Sequence, residues 1–126
     1  MKKIAWIEAP EDQDYTGALS YLSLLCDPKI AAKLVKKFES AAIIQVKAKD
    51  VIRAAGLTPL SRDNFHVNRD LKKIASSIPL SPILLVRGNG SKAIPLTIAD
   101  GYHRACAIYV HGEDSDIKAR IIDWAP

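Results

Sequence analysis

Ile83-Leu84-Leu85-Val86, then Gly88-Asn89-Gly90-Ser91, then Pro95-Leu96-Thr97-Ile98-Ala99-Asp100-Gly101-Tyr102-His103-Arg104 is the stretch whose reading decides the fold. Four successive apolar residues read as a strand. Asn89-Gly90 tolerates positive φ, so Gly88 to Ser91 reads as a hairpin turn, with Pro95 to Ala99 as the returning strand. That strand delivers the chain to Asp100-Gly101, where the period changes. Ala105, Ile108 and Tyr109 recur at helical spacing, which predicts a helix from about Tyr102 to Val110. Strand, turn, strand and helix in close succession predict an α/β (α+β) fold, a small mixed sheet flanked by helices.

Outward from this stretch the pattern continues. Beyond an acidic turn with Glu113, Asp114 and Asp116, residues Ile117 to Ile122 alternate as a last strand. Upstream, Ala42 to Val46 reads as a strand, and Lys49 to Ala55 as a short helix or turn that Gly56 terminates. A loop with Pro59, Ser61, Asp63 and Asn64 leads to a helix from Val67 to Ser76, whose apolar face is Val67, Leu71, Ile74 and Ala75. Before residue 41 the pattern is helical. Leu19, Leu22 and Leu25 lie on one face of residues 16–25. Asp27-Pro28 is an N-cap with proline at the first helical position, and Ile30, Leu34, Val35 and Phe38 turn inward from the second helix. The expected organisation is a single domain over 1–126, with 1–41 an N-terminal helical extension and 42–126 the core.

A length of 126 residues suits one core. Hydrophobic content of 48% with 25% charged residues is that of a globular protein, and no apolar run approaches the ~18 to 20 residues of a membrane span. Glu8, Glu11, Asp12 and Asp14 follow Lys2 and Lys3 too soon for a secretory segment, so a cytoplasmic location is expected. Cys26 and Cys106 sit in no metal-binding spacing, so no metal site is expected and both read as reduced thiols. The net charge of +4 suits a phosphate-bearing ligand. It is spread over several segments, however, and Lys72, Lys73 and most other lysines read as solvated helix faces.

The chemistry concentrates at residues 100–104. The first amides of a helix lack intrahelical partners and carry the positive end of its dipole, so they attract anions. Gly101 allows close approach of backbone to a ligand. Arg104 offers a planar fork that matches phosphate oxygens, and His103 a second donor. Asp100-Gly101 also commonly caps a helix for structural reasons alone. A charged His and Arg in a first turn are nevertheless misplaced by about 0.3–1 kcal/mol each, a sign that a docked anion reverses. His66 has no evident partner and reads as a loop residue, and Cys106 reads as core.

From about Val46 to Ile122 the chain resembles the ParB/sulfiredoxin superfamily, through "Leu80-Ser-Pro-Ile-Leu-Leu-Val86" and "Ile98-Ala-Asp-Gly-Tyr-His-Arg-Ala105". In that family the box at this helix N-terminus binds nucleotide phosphates. The resemblance implies a nucleotide ligand (ATP, ADP or CTP, with or without Mg2+) on Gly101, Tyr102, His103 and Arg104. It implies further contacts from Lys49 and Arg53 beside Asp50, which follow the first strand. Asp100 and His103 are the implied catalytic residues. Sulfiredoxin carries Gly-Gly-Cys-His-Arg, and Tyr102 stands where its reacting thiol would be, so sulfinic acid reduction is not expected. ParB carries Gly-Glu-Arg-Arg followed by a helix-turn-helix region, and clamp behaviour is not expected of a chain stopping at Pro126. The box is most similar to the Asp-Gly-His-His-Arg of free serine kinases, with Tyr102 in place of the first histidine. Those kinases draw a glutamate base from an N-terminal segment, and Glu39 is the candidate nearest the first family-like strand.

Three readings of function stay open at this point. One is a nucleotide-binding phosphotransferase or nucleotide hydrolase. Another is a non-catalytic protein-interaction module in which nucleotide tunes docking. The third is a ParB-like nucleic-acid-binding or nuclease protein, against which the 6% aromatic content and scattered basic charge weigh. The N-terminal helices add a further expectation. Leu19, Leu22, Leu25, Leu34 and Phe38 together exceed what one face of a small sheet covers, which suggests a homodimer or a protein partner at this hairpin. The competing expectation is that the hairpin folds back over the sheet and Trp6.

Overall fold

The computed structural model describes residues 2–125, and its elements begin and end at side-chain signals in the sequence. Helix α1 spans Asp12–Leu22, starting earlier than the leucine spacing suggests because Asp14 Oδ2 accepts from the Glu11 amide at 2.9 Å. Helix α2 spans Pro28–Phe38 and is capped by Asp27, which accepts from the Lys29 amide at 2.8 Å. Strand β1 is Ile43–Lys47, and α3 is Ala48–Ala55, closed by Gly56 in the left-handed conformation. Helix α4 spans Phe65–Ala75, with the Asn64 side chain accepting from the His66 and Val67 amides. Strand β2 (Ile83–Val86), β3 (Thr97–Asp100), helix α5 (Tyr102–His111) and β4 (Asp116–Ile122) complete the chain.

The four strands form one mixed sheet in the order β1-β4-β2-β3. Strand β4 lies antiparallel to β1 and parallel to β2, and β2 lies antiparallel to β3, which is an edge. Side chains alternate across it. Ile83, Leu85, Ile98, Ile117 and Ala119 pack with Val51, Ile52, Val67, Ile74 and Ile108 of α3, α4 and α5. Leu84, Val86, Ala99 and Ile122 face the other way, onto Ala18, Leu22, Ala31, Leu34 and Phe38 of α1 and α2. The all-apolar β2 is therefore explained by cover on both faces. The fold is mixed α and β, with helices on each side of the sheet.

The N-terminal hairpin supplies one of these two layers. Leu22, Leu34 and Phe38 are fully buried, each stabilising the layer by about 1.5–3 kcal/mol. Leu19 and Leu25 remain exposed at the margin, beside Tyr21 and Leu24. Trp6 does not lie under the hairpin. It forms a parallel bridge with Leu80 and packs on the opposite side of the sheet.

The β2–β3 connection differs from the expected two-residue turn. The Asn89 carboxamide accepts from the Ser91 amide at 3.2 Å and from its hydroxyl at 2.7 Å, which holds Asn89 extended. A short 3-10 turn over Gly90–Lys92 follows, and Ala93, at φ 55°, takes the left-handed position. The strand itself starts at Thr97 rather than Pro95, because the Leu96 amide donates to the Ala54 carbonyl at 2.9 Å. Among the described residues no helix is long and apolar enough to cross a membrane.

Candidate functional site

Strand β3 ends at Asp100, and the chain turns into α5 through Gly101 at φ 102°. Only glycine fits there. The left-handed backbone is unfavourable for other residues, and a Cβ would lie 2.5 Å from Cγ2 of the buried Ile83. Gly101, not Asp100, occupies the N-cap, and no side chain caps the helix. The first helical hydrogen bond runs from the Ala105 amide to the Gly101 carbonyl, at 2.9 Å. The amides of Tyr102, His103 and Arg104 thus precede the first amide that donates within the helix.

Asp100 leaves the cap because its carboxylate turns to Arg104. The guanidinium makes five hydrogen bonds. Nη1 donates to the Ser81 carbonyl at 2.7 Å, the Ser81 hydroxyl at 2.8 Å and the Pro82 carbonyl at 3.3 Å. Nη2 donates to Asp14 Oδ1 at 3.0 Å and to Asp100 Oδ2 at 3.2 Å. Arg104, expected as an open phosphate fork, lines the polar cavity described below but is largely buried and engaged with two carboxylates. Gly17, on the same helix as Asp14, makes the approach possible, since a Cβ there would lie 2.5 Å from Asp100 Oδ1. Burial, then the hydrogen bond shared with Asp14, pushes the Asp100 carboxyl up to about 7 from 3.8, against the opposing pull of Arg104. Asp100 is thus a carboxyl that gains and loses a proton near neutrality.

The α5 N-terminus opens onto a polar cavity of about 200 Å³, lined on its far side by Arg69, Asp70 and Lys73 of α4. Lys73, expected to face solvent, is brought here by the crossing of α4 over α5, while Lys72 stays exposed. Asp70 is buried, yet its Oδ1 lies 3.9 Å from Arg69 Nε and 4.0 Å from Lys73 Nζ, too far for either cation to be fully engaged. The His103 ring, half-buried at the cavity wall, has its pKa lowered by burial and by the neighbouring His66. The partner missing from the sequence reading of His66 is this ring, with centroids 4.7 Å apart. A larger cleft of about 650 Å³ runs along the β3 edge past Tyr21, Leu25 and Leu57. It meets residues 100–103 from the opposite side.

Other expected contacts fall elsewhere. Lys49 pairs with Asp114 at 2.6 Å and Arg53 with Asp50 at 3.1 Å, all exposed, and neither cation lines a cavity shared with the box. Glu39 is the C-cap of α2, outside both cavities, and the acidic residues that the N-terminal segment does contribute are Glu11 and Asp14. Cys106 is buried, accepting from the Leu60 amide at 3.4 Å, and Cys26 is half-buried; both are free thiols. Asp14 carried one legible signal. A glycine in a helix interior costs about 1 kcal/mol relative to alanine, and Gly17 marked a close approach to α1.

No family model, curated protein or solved structure matches this chain. The site's chemistry rests on its own geometry: three uncapped amides, two loosely engaged cations, an imidazole and a carboxyl titrating near neutrality. Among the described residues no group of three or more His, Cys, Asp and Glu side chains is placed to hold a metal ion. The carboxylates of Asp14 and Asp100 are held by Arg104.

Proposed function

We propose that the protein binds a nucleotide through its phosphates at the N-terminus of α5, and catalyses phosphoryl transfer or nucleotide hydrolysis as a ParB/sulfiredoxin-like domain. The observation that carries this reading is the set of three uncapped α5 amides opening on a polar cavity whose opposite wall holds Arg69 and Lys73. The phosphate oxygens accept from the amides of residues 102 to 104, from His103 and from the two α4 cations. The guanidinium of Arg104 remains on Asp14 and Asp100, and so fixes the direction of the Asp100 carboxylate.

Asp100 is then the acid–base group. In its ionised form it takes the proton of an attacking hydroxyl or water as the new P–O bond forms. The bond from phosphorus to the leaving phosphate oxygen breaks, and the charge developing there is stabilised by Lys73 and the helix amides. A carboxyl poised at about 7 suits a proton shuttle at neutral pH.

Calorimetric titration of the full chain with ATP, CTP and inorganic tripolyphosphate, with and without magnesium, tests the reading. Lys73→Ala and Arg69→Ala should each weaken binding about tenfold, the scale of losing one charge-assisted contact. Affinities unchanged in both variants would remove the phosphate site from this cavity. Phosphate release or transfer that survives Asp100→Asn would remove Asp100 as the base.

A further inference from the structure

Four rings run in a row from α4 to α5. Phe65 meets His66 edge-on, with centroids 5.5 Å apart and planes at 84°. His66 lies over His103 at 4.7 Å with planes at 44°, and His103 meets Tyr102 at 5.7 Å and 52°. The row is held at both ends. The Tyr102 hydroxyl donates to the Thr58 carbonyl at 2.8 Å, and Asn64 fixes the first turn of α4 by accepting from the His66 and Val67 amides.

This row is not core. Phe65 is 73% exposed and His66 is exposed, while the apolar face of α4 that does pack is Val67, Leu71 and Ile74. One exposed phenylalanine needs no explanation. A phenyl and two imidazoles in contact at the surface, ending on a residue that lines both cavities of the box, do call for one. The lowered pKa of His103 favours its neutral ring, which suits stacking better than the imidazolium. Planar π-faces beside a phosphate-binding helix end match a ligand that is a flat heteroaromatic ring joined to phosphates.

We propose that Phe65, His66 and His103 form a stacking surface for the base of a nucleoside di- or triphosphate. The base lies outside the polar cavity, against the first turn of α4, with its phosphates reaching past His103 to the α5 amides. This placement rests on the phosphate reading above. It adds that the ring, and not the phosphate chain alone, supplies affinity, and that α4 rather than α3 supplies the base contacts.

Calorimetry with ATP, adenosine and inorganic tripolyphosphate on the wild type, Phe65→Ala, His66→Ala and Phe65→Trp separates the two layers. ATP should bind the wild type about tenfold or more tighter than tripolyphosphate, the scale of one base–aromatic stack. Phe65→Ala and His66→Ala should bring ATP down towards the affinity of tripolyphosphate, and Phe65→Trp should restore the difference. Equal binding of ATP and tripolyphosphate to the wild type overturns the stacking surface and leaves the phosphate site standing. A preference for ATP that persists in both alanine variants also overturns it, by placing the base elsewhere. Adenosine binding that is lost in Phe65→Ala, without any tripolyphosphate binding, supports the surface and overturns the phosphate site. Absence of binding by all three ligands overturns both.

Discussion

Asp14 and Arg104 are 90 residues apart in the chain and 3.0 Å apart in space, and their ion pair ties the N-terminal hairpin to the first turn of α5. Asp100 completes the clasp at 3.2 Å, and Ser81 receives the other guanidinium nitrogen. Arg104→Ala leaves two carboxylates facing each other with no cation. Loss of one partner from a buried ion pair costs about 3–5 kcal/mol, a large share of the ~5–15 kcal/mol that holds a domain folded. We expect a fall of that size in urea-unfolding free energy. Arg104→Lys should recover only part, because an ammonium cannot span Ser81 and both carboxylates. A loss under about 1 kcal/mol in Arg104→Ala, well short of that scale, would show that the clasp is not structural and leave the arginine to ligand binding alone.

The same carboxyl gives stability a pH signature. Asp100 is raised to about 7 in the fold from an ordinary 3.8, so between these values the folded chain holds a proton that the unfolded chain has lost. Its contribution is complete below about pH 4 and is lost as pH rises through about 7. His103 works in the opposite sense. Its lowered pKa means that the unfolded chain takes up that proton first, so acidification below 6.5 destabilises through it. The difference between wild type and Asp100→Asn isolates the carboxyl. We expect the wild type to lose ground against the variant from pH 4 to 7 and to run parallel above it. A difference that does not change with pH would show that Asp100 titrates normally.

Much of this architecture was legible from local signals. Ile83 to Val86, Asp27-Pro28 and Gly56 each act on the chain within a few residues, and the structure places a strand, a helix start and a helix end at them. Asp100 to Arg104 likewise declared a helix opening on glycine. The partners of that box were not legible, because they arrive from distant segments. Asp14 reaches it only once α1 lies against β3, and Lys73 and His66 only once α4 crosses α5. Sequence spacing also does not reveal that Arg104 spends its donors on Ser81, Asp14 and Asp100. The β2–β3 turn was misplaced for a local reason, the bonds from Ser91 to the Asn89 carboxamide.

The thiols should prove inert to the site's chemistry. Cys106 is fully buried and burial raises its pKa, so the nucleophilic thiolate is scarce there. In the folded protein a thiol reagent should label Cys26 well ahead of Cys106, with both reacting in denaturant. Cys106→Ser should retain nucleotide binding, and no sulfinic acid reduction should be detected. Rapid native labelling of Cys106, or activity lost with it, would relocate the nucleophile to α5.

Part of the apolar stripe of the N-terminal hairpin is buried within one chain. Leu22, Leu34 and Phe38 are fully buried against Leu84, Val86 and Ile122, while Leu19, Tyr21, Leu24, Leu25 and Ile30, the last expected to turn inward, are left exposed. Phe38→Ala should cost about 3–5 kcal/mol, since it empties the middle of a sheet–helix layer. Leu24→Ser, at a side chain 83% exposed, should stay within about 0.5 kcal/mol. With Leu22, Leu34 and Phe38 taken up by the core, we expect no stable dimer through the hairpin. Sedimentation at micromolar concentration should therefore return a species near 13.8 kDa. A concentration-dependent dimer that Leu25→Glu dissolves would mean instead that the marginal leucines form an interface, and that the hairpin serves as both core layer and contact surface.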